Sequence, residues 1–167
     1  YTKLSERYSV TMNRTDKPLS KSQIIEGIKD KDGVLCILSD KIDREIIESN
    51  PNLRIIANYG AGFDNIDLVA ARERHIMVTN TPLVSTISTA ELTFALILGL
   101  ARRIAEGDKL MRTGGFSGWS PMFHLGVELK GKKLGIIGMG NIGKQVARIA
   151  RGFQMEVLYH NRTRLST

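Results

Sequence analysis

The sequence predicts an α/β protein in two parts, each built on a parallel sheet. Three observations carry that expectation. Strands that are apolar throughout, such as GVLCIL at 33–38 and LRIIA at 53–57, alternate with helical stretches. Such strands belong to parallel sheets covered on both faces, because a half-exposed strand would alternate apolar and polar residues. The phrase NTP at 80–82 then interrupts the pattern, and a second strand–turn–helix begins around the glycine-rich GMGNIG at 138–143.

Each element has a local reason. Tyr1–Arg7 reads as a short helix and Tyr8–Met12 as a short strand. Ser20–Lys29 is helical because Ile24, Ile25 and Ile28 recur on one side. Gly33–Leu38 is a buried strand, and Asp43–Ser49 is a short helix stopped by Pro51. Leu53–Ala57 is a second strand, Asn65–Arg74 a helix and Ile76–Thr79 a further strand. Asp64 and Asp67 read as helix-start residues, where a carboxylate can cap free N–H groups. Beyond the boundary, Ser88 and Glu91 have the spacing of a capping box, which starts a long helix of about 88–106. Its body from Leu92 to Ile104 is apolar on most of its surface, so it is expected between two layers. Arg102 and Arg103 suit the charge of its end or a pairing between domains. A loop rich in glycine and aromatics follows at 113–123. Then come the strand Lys133–Ile137, the helix Asn141–Arg151 and the strand Met155–Tyr159.

Composition narrows the function classes. The chain is 42% hydrophobic and 25% charged, enough for a real core. Its single cysteine, Cys36, lies in VLCIL and is expected as a small buried hydrophobe. One cysteine allows no internal disulfide, which suits a reducing, cytoplasmic setting. The longest apolar run, Leu92–Ala101, falls far short of the ~20 residues of a membrane span. The net charge of +7 is spread along the chain, with no basic run interleaved with aromatics. Attraction to small anions, or an acidic segment elsewhere in a longer chain, is therefore expected, and nucleic acid is not. Neither a metal-ligand cluster nor a Ser/His/Asp arrangement is visible. His75, His124 and His160 read as surface or satisfied histidines.

Gly138-Met139-Gly140-Asn141-Ile142-Gly143 matches G-x-G-x-x-G between a strand and a helix. Gly138 allows the tight turn, Gly140 lets the backbone approach a pyrophosphate, and Gly143 lets helix and strand pack closely. The helix start offers free N–H groups and a positive dipole end to phosphate. An acid commonly follows the next strand and accepts the ribose hydroxyls. Here Asn161 stands instead, followed by Arg162, Thr163 and Arg164. Asn161 removes the charge that repels a 2′-phosphate, and the guanidinium forks and hydroxyl can hold one. NADP is therefore the expected cofactor. NAD remains the alternative, since a solvated basic turn tolerates it.

These motifs, with NYGAGFDNID (58–67), VTNTP (78–82) and STAELTFALILGLARR (88–103), resemble the D-isomer-specific 2-hydroxyacid dehydrogenases. Within that family, GFSGWSPMFHLGVELKGKKLGIIG is most similar to glyoxylate/hydroxypyruvate reductases. The resemblance implies a flavodoxin-like substrate domain at 1–80, then the start of a Rossmann dinucleotide-binding domain at 81–167. It implies an active site in the cleft between them, a bridging helix at about 88–106 and a dimer arm at about 107–130. The backbone of Ala61-Gly62 would hold the substrate carboxylate, and a glycine-rich turn after a strand can expose such amides. The same glycines also suit a plain turn. Thr89 would lie near the nicotinamide, or would serve in capping beside Ser88. Phe116 and Trp119 would reach a partner subunit or pack a homodimer interface.

The family's catalytic arginine, glutamate and histidine follow the second Rossmann strand, so no catalytic residue is expected before Thr167. The first residue, Tyr1, and the end just after a strand are expected to mark part of a longer chain. The sequence thus leads to an NADP-preferring reductase of small 2-keto acids. Its alternatives are an NAD-linked relative acting on another 2-hydroxy acid, such as phosphoglycerate, and a non-catalytic protein that senses dinucleotides.

Overall fold

The computed structural model describes residues 2–165, divided into two compact units after Pro82. Parallel α/β architecture is present in both.

In the first unit, α1 (Thr2–Ser5) is a single turn, and Tyr1 lies outside the described residues. The strand expected at Tyr8–Met12 does not form. Tyr8 and Met12 are exposed, and among the described residues no strand pairs with their backbone. A strand without a partner leaves its polar groups to water. Helix α2 (Lys21–Ile28) starts on a capping box: Gln23 N–H donates to Ser20 Oγ, and Ser20 N–H donates to Gln23 Oε1. Strand β1 (Gly33–Ile37) leads to α3 (Arg44–Ser49), capped by Asp43. Strand β2 (Ile55–Tyr59) begins two residues later than LRIIA suggests and runs on to Tyr59. Helix α4 (Leu68–Glu73) begins at its cap Asp67, so it is shorter than expected and Asp64 lies in the turn before it. Strand β3 (Met77–Thr79) completes a parallel sheet in the order β1-β2-β3.

The side chains of α2, α3 and α4 pack against the Val34, Cys36, Ile56 and Val78 face of this sheet. Ile46, Ile47 and Ile56 are fully excluded from solvent there. The opposite face is uncovered: Leu35 is 63% exposed and Met77 62%. Cover on both faces, expected from the apolar strands, is thus present on one. Successive strand–helix–strand crossovers of one hand put their helices on the same side. Cys36 is buried, and desolvation, with the nearby Asp40 charge, pushes its thiol pKa up to about 11. The buried Asn50 donates to the carbonyls of Ile28 (2.6 Å) and Lys31 (2.7 Å), tying the end of α2 to the sheet side.

In the second unit the single helix expected at 88–106 is two: α5 (Thr86–Ala101) and α6 (Ile104–Arg112). The break has a visible cause. Val127 N–H donates to the Ala101 carbonyl at 2.7 Å, supplying a partner from outside the helix, and Arg103 takes a left-handed φ of 53°. Arg103 then pairs with Glu106 in the first turn of α6. The capping box at Ser88 does not form, because the helix starts earlier and Ser88 Oγ donates to the Ser85 carbonyl within it. Burial on most sides of α5 is also corrected. Ala90 and Phe94 are buried, whereas Leu92, Leu96 and Leu100 are exposed. Residues 113–130 return without regular structure.

Strands β4 (Lys133–Ile137) and β5 (Glu156–His160) pair in parallel around α7 (Asn141–Gly152). Ala90 and Phe94 of α5 pack with Val146 and Ala150 of α7, and Phe94 stacks on Phe153 at 5.3 Å. Among the described residues no helix is long and apolar enough to cross a membrane.

Ile46 should be the most sensitive kind of position in the first unit. Ile46→Ala is expected to cost about 2–5 kcal/mol in denaturant unfolding, as the lost transfer energy and the cavity add. Lys21→Ala, which removes only exposed pairs to Asp43 and Glu45, should leave the midpoint nearly unchanged.

Candidate functional site

Two clusters gather at the carboxyl ends of strands, one in each unit. The first is the glycine turn after β4. Gly138 has φ 95°, which L side chains rarely adopt, and its N–H donates to the carbonyl of His160 at the end of β5. Gly140 caps α7, and a Cβ placed there meets no atom within 4 Å. The space above it is open to a ligand. Gly143 is the opposite case: a Cβ would collide with the Gly138 carbonyl and press on Ile136. Turn, open approach and close packing thus fall to the three glycines in the order their spacing predicts. Met139 is buried between them, while Asn141 and Ile142 are exposed in the first turn of α7. Among the described residues no side chain caps that helix, so its first N–H groups and dipole end are left without a side-chain acceptor. These residues fit a pyrophosphate.

The chain leaving β5 folds back on itself, with Asn161 Nδ2 donating to the Thr163 carbonyl at 2.8 Å. Arg162, Thr163 and Arg164 are exposed, and neither guanidinium pairs with an acid among the described residues. A cavity of about 340 Å³ lies alongside, lined by Met139, Lys144, Arg148, Arg151, Tyr159 and Leu165 among others. Its three cations escaped the reading of the sequence. Their i, i+4, i+7 spacing on α7 was the available signal.

The second cluster is the loop after β2. Asn58, 2% exposed at the strand end, donates from Nδ2 to the Gly62 carbonyl at 2.7 Å. Asn80, just past β3, donates to the Ala61 carbonyl at 2.8 Å, and Thr81 N–H to the Gly60 carbonyl at 2.9 Å. Three successive carbonyls are therefore engaged from within the unit. The N–H groups of Ala61 and Gly62 have no acceptor among the described residues, and both residues are exposed. Such a turn can receive an anion. The strand ends that carry Asn58 and Asn80 are legible in the sequence, beside Ser39-Asp40; which carbonyls the two amides hold is not. A polar residue closing an apolar strand was the signal.

Thr89 is the fourth residue of α5 and half-buried. Its N–H donates to the Ser85 carbonyl at 2.9 Å, the ordinary bond of a residue inside the helix. Its hydroxyl makes no hydrogen bond among the described residues. Trp119 is 89% exposed and meets Phe116 edge to face at 5.4 Å. Of the histidines, His124 Nε2 lies 3.2 Å from the Arg103 carbonyl, and the other two make no cluster with it. Among the described residues no group of three His, Cys, Asp or Glu side chains could hold a metal.

Comparison with known proteins gives the family. Residues 2–163 match the catalytic domain of D-isomer specific 2-hydroxyacid dehydrogenases. A Staphylococcus haemolyticus protein named as a 2-hydroxyacid dehydrogenase is 54% identical over 156 residues, covering 93% of this chain and 49% of that protein. The chain spans about half the length of the curated relatives it matches. Among solved structures, a protein from Thermus thermophilus superposes with a TM-score of 0.95 at 41% identity, covering 99% of this chain and 53% of that one. A glyoxylate reductase from Paecilomyes thermophila gives 0.74 at 34% identity, with 87% and 46% covered. A D-lactate dehydrogenase from Aquifex aeolicus, complexed with NAD and lactic acid, gives 0.82 at 30% identity, with 99% and 48% covered. With a family match over nearly its whole length, this chain belongs to the D-isomer specific 2-hydroxyacid dehydrogenases.

Proposed function

We propose that this chain is the nucleotide-gripping and carboxylate-holding part of an NADP-preferring reductase of small 2-keto acids, with glyoxylate or hydroxypyruvate as substrate. The observation that carries the reading is the pair of guanidinium groups, Arg162 and Arg164, which pair with no acid among the described residues, beside an Asn161 whose side chain is spent on its own turn. A carboxylate at that strand end would repel a 2′-phosphate; an asparagine does not, and two arginines attract it. Lys144 and Arg148 add positive potential on the flank.

The residues divide the work. Gly138, Met139, Gly140, Asn141, Ile142 and Gly143 would seat the pyrophosphate at the start of α7, and Asn161, Arg162, Thr163 and Arg164 would hold the ribose phosphate. Thr89 would face the nicotinamide with its free hydroxyl. The amides of Ala61 and Gly62 would fix the carboxylate of the keto acid. When bound, the reduced dinucleotide supplies the hydride that turns the keto carbon into the D-hydroxy carbon. The proton donor is not among the residues described above. The first unit serves the substrate and the second the nucleotide.

The same reading includes a homodimer. Leu92, Leu96 and Leu100 form an exposed row on α5, and Trp119 stands out from the returning arm. Apolar surface of this kind marks an interface in a water-soluble protein, and a large aromatic anchors one well. The row continues into a cavity of about 420 Å³ lined by Ile97, Leu100, Leu125 and Val127. We assign the contact to a second copy; the resemblance of the 107–130 arm to one that crosses between subunits supports that reading.

Three outcomes are expected. The full-length protein carrying this chain should oxidise NADPH on addition of glyoxylate, followed by nicotinamide absorbance, and NADH more slowly. Failure with every small keto acid would sink the reductase reading. Arg162→Ala should raise KM for NADPH roughly tenfold or more, from loss of a charge-assisted bond, with little change for NADH. An equal loss for both would remove the NADP preference. In sedimentation, Leu96→Glu should shift a dimer toward monomer; an unchanged dimer would place the interface elsewhere.

A further inference from the structure

The substrate-facing loop after β2 is held by asparagine amides that the chemistry itself does not require. Asn58 and Asn65 form a reciprocal pair, Asn58 Nδ2 donating to Asn65 Oδ1 at 3.2 Å and Asn65 Nδ2 to Asn58 Oδ1 at 3.3 Å. Asn65 Nδ2 also reaches the carbonyls of Ile37 (3.2 Å) and Asp40 (3.0 Å) at the end of β1. The Cys36 thiol donates to Asn58 Oδ1 at 3.4 Å from the neighbouring position of the parallel ladder. Asn58 uses its remaining donor capacity on the Gly62 carbonyl, and Asn80 comes from β3 to the Ala61 carbonyl. The ends of all three strands are thus tied to two adjacent peptide groups.

A peptide group is planar, so fixing its carbonyl fixes the direction of the N–H it carries. Asn58 holds the peptide that joins Gly62 to Phe63, and Asn80 the one that joins Ala61 to Gly62. Together with the Thr81 bond to the Gly60 carbonyl, three consecutive peptide planes are set, and two of them carry the N–H groups of Ala61 and Gly62, which have no acceptor among the described residues. The desolvated Asn58 cannot turn to water instead, because it is buried and fully engaged. Asn80 orients the Gly62 N–H directly, and Asn58 closes the far side of the same turn.

We propose that Asn58, braced by Asn65, and Asn80 are positioning residues that preset this loop for the carboxylate of the keto acid. The inference rests on the reading that Ala61 and Gly62 receive that carboxylate. Preset donors raise affinity because no ordering is needed at binding. The carboxylate is held alike in the ground and transition states, so losing the alignment raises KM and spares kcat.

The test uses the full-length protein saturated with NADPH and two measurements. The first follows the 15N-labelled backbone amides of Ala61 and Gly62 in the wild type as oxamate, a keto-acid mimic, is added. The second is steady-state kinetics of Asn58→Ala and Asn80→Ala with glyoxylate, with thermal midpoints recorded. The expected result is a shift of both amide signals, and a KM for glyoxylate raised roughly tenfold in each variant with kcat within about twofold. KM for NADPH should stay unchanged. Amides that shift in the wild type, with an unaltered glyoxylate KM in both variants, would overturn the positioning role and leave the carboxylate reading standing. Amides that do not respond to oxamate would remove that reading, and the proposal with it. A lowered midpoint and kcat with unaltered KM would make the asparagines supports of the fold alone. Should Asn58→Ala fail to fold, the half-buried Asn80, with its single bond to this loop, decides the question.

Discussion

Parallel pairing is the constraint on which the rest depends. It sends every strand of a sheet in one direction, so all carboxyl ends, and the loops that follow them, collect along one edge. In the first unit this brings Asp40, Asn58 and Asn80 from three strand ends to a single loop. In the second it sets the glycine turn after β4 beside the residues leaving β5, joined by the bond from Gly138 to His160. Neither cluster exists along the chain. Each is made when the ladder forms.

Under the proposed function the two clusters would answer the same problem, an anion to be held, by different means. The glycine turn works through absence. With no Cβ on Gly140 the helix start is open, and with none on Gly143 the helix comes close enough to β4 to aim that start. The loop at Ala61 works through occupation. Its carbonyls are taken by asparagines, and its amides are left over. Backbone amides suit both tasks, because they bind an anion without the reach and disorder of a long charged side chain. In the proposed function, the arginines after β5 would serve the one feature that a backbone cannot select by itself, a further phosphate on the ribose.

The elements that departed from expectation share a cause. The apolar stretch of α5 reads as buried on most sides, yet Leu92, Leu96 and Leu100 face outward, and the bare side of the first sheet shows Leu35 and Met77 in the same way. Apolar sequence states that a surface is to be covered; it does not state by what. The break at Arg103 came from a bond donated by Val127, more than twenty positions further on, which no local pattern announces. The helix begins before Ser88, so a correct capping spacing was read at a residue already inside it.

Periodicity, turn residues and the G-x-G-x-x-G spacing determined by themselves the parallel class, the order of the elements from α2 to β3 and from β4 to β5, the glycine turn at 138–143 and the basic turn at 161–164. These are local properties: strand and helix periods, a left-handed φ, a missing Cβ, a charge next to a strand end. Family resemblance on short motifs added Ala61 and Gly62. Only the tertiary structure decided which atoms hold that loop. Asn58, Asn65 and Asn80 lie far from Ile37 and Asp40 or on separate elements, and side-chain amides hydrogen-bond in many settings. Their partners became fixed once three parallel strands placed the carbonyls within 2.7–3.2 Å. Hydrogen-bond partners depend on distance in space, and for these residues that distance is set by the sheet rather than by the order of the chain.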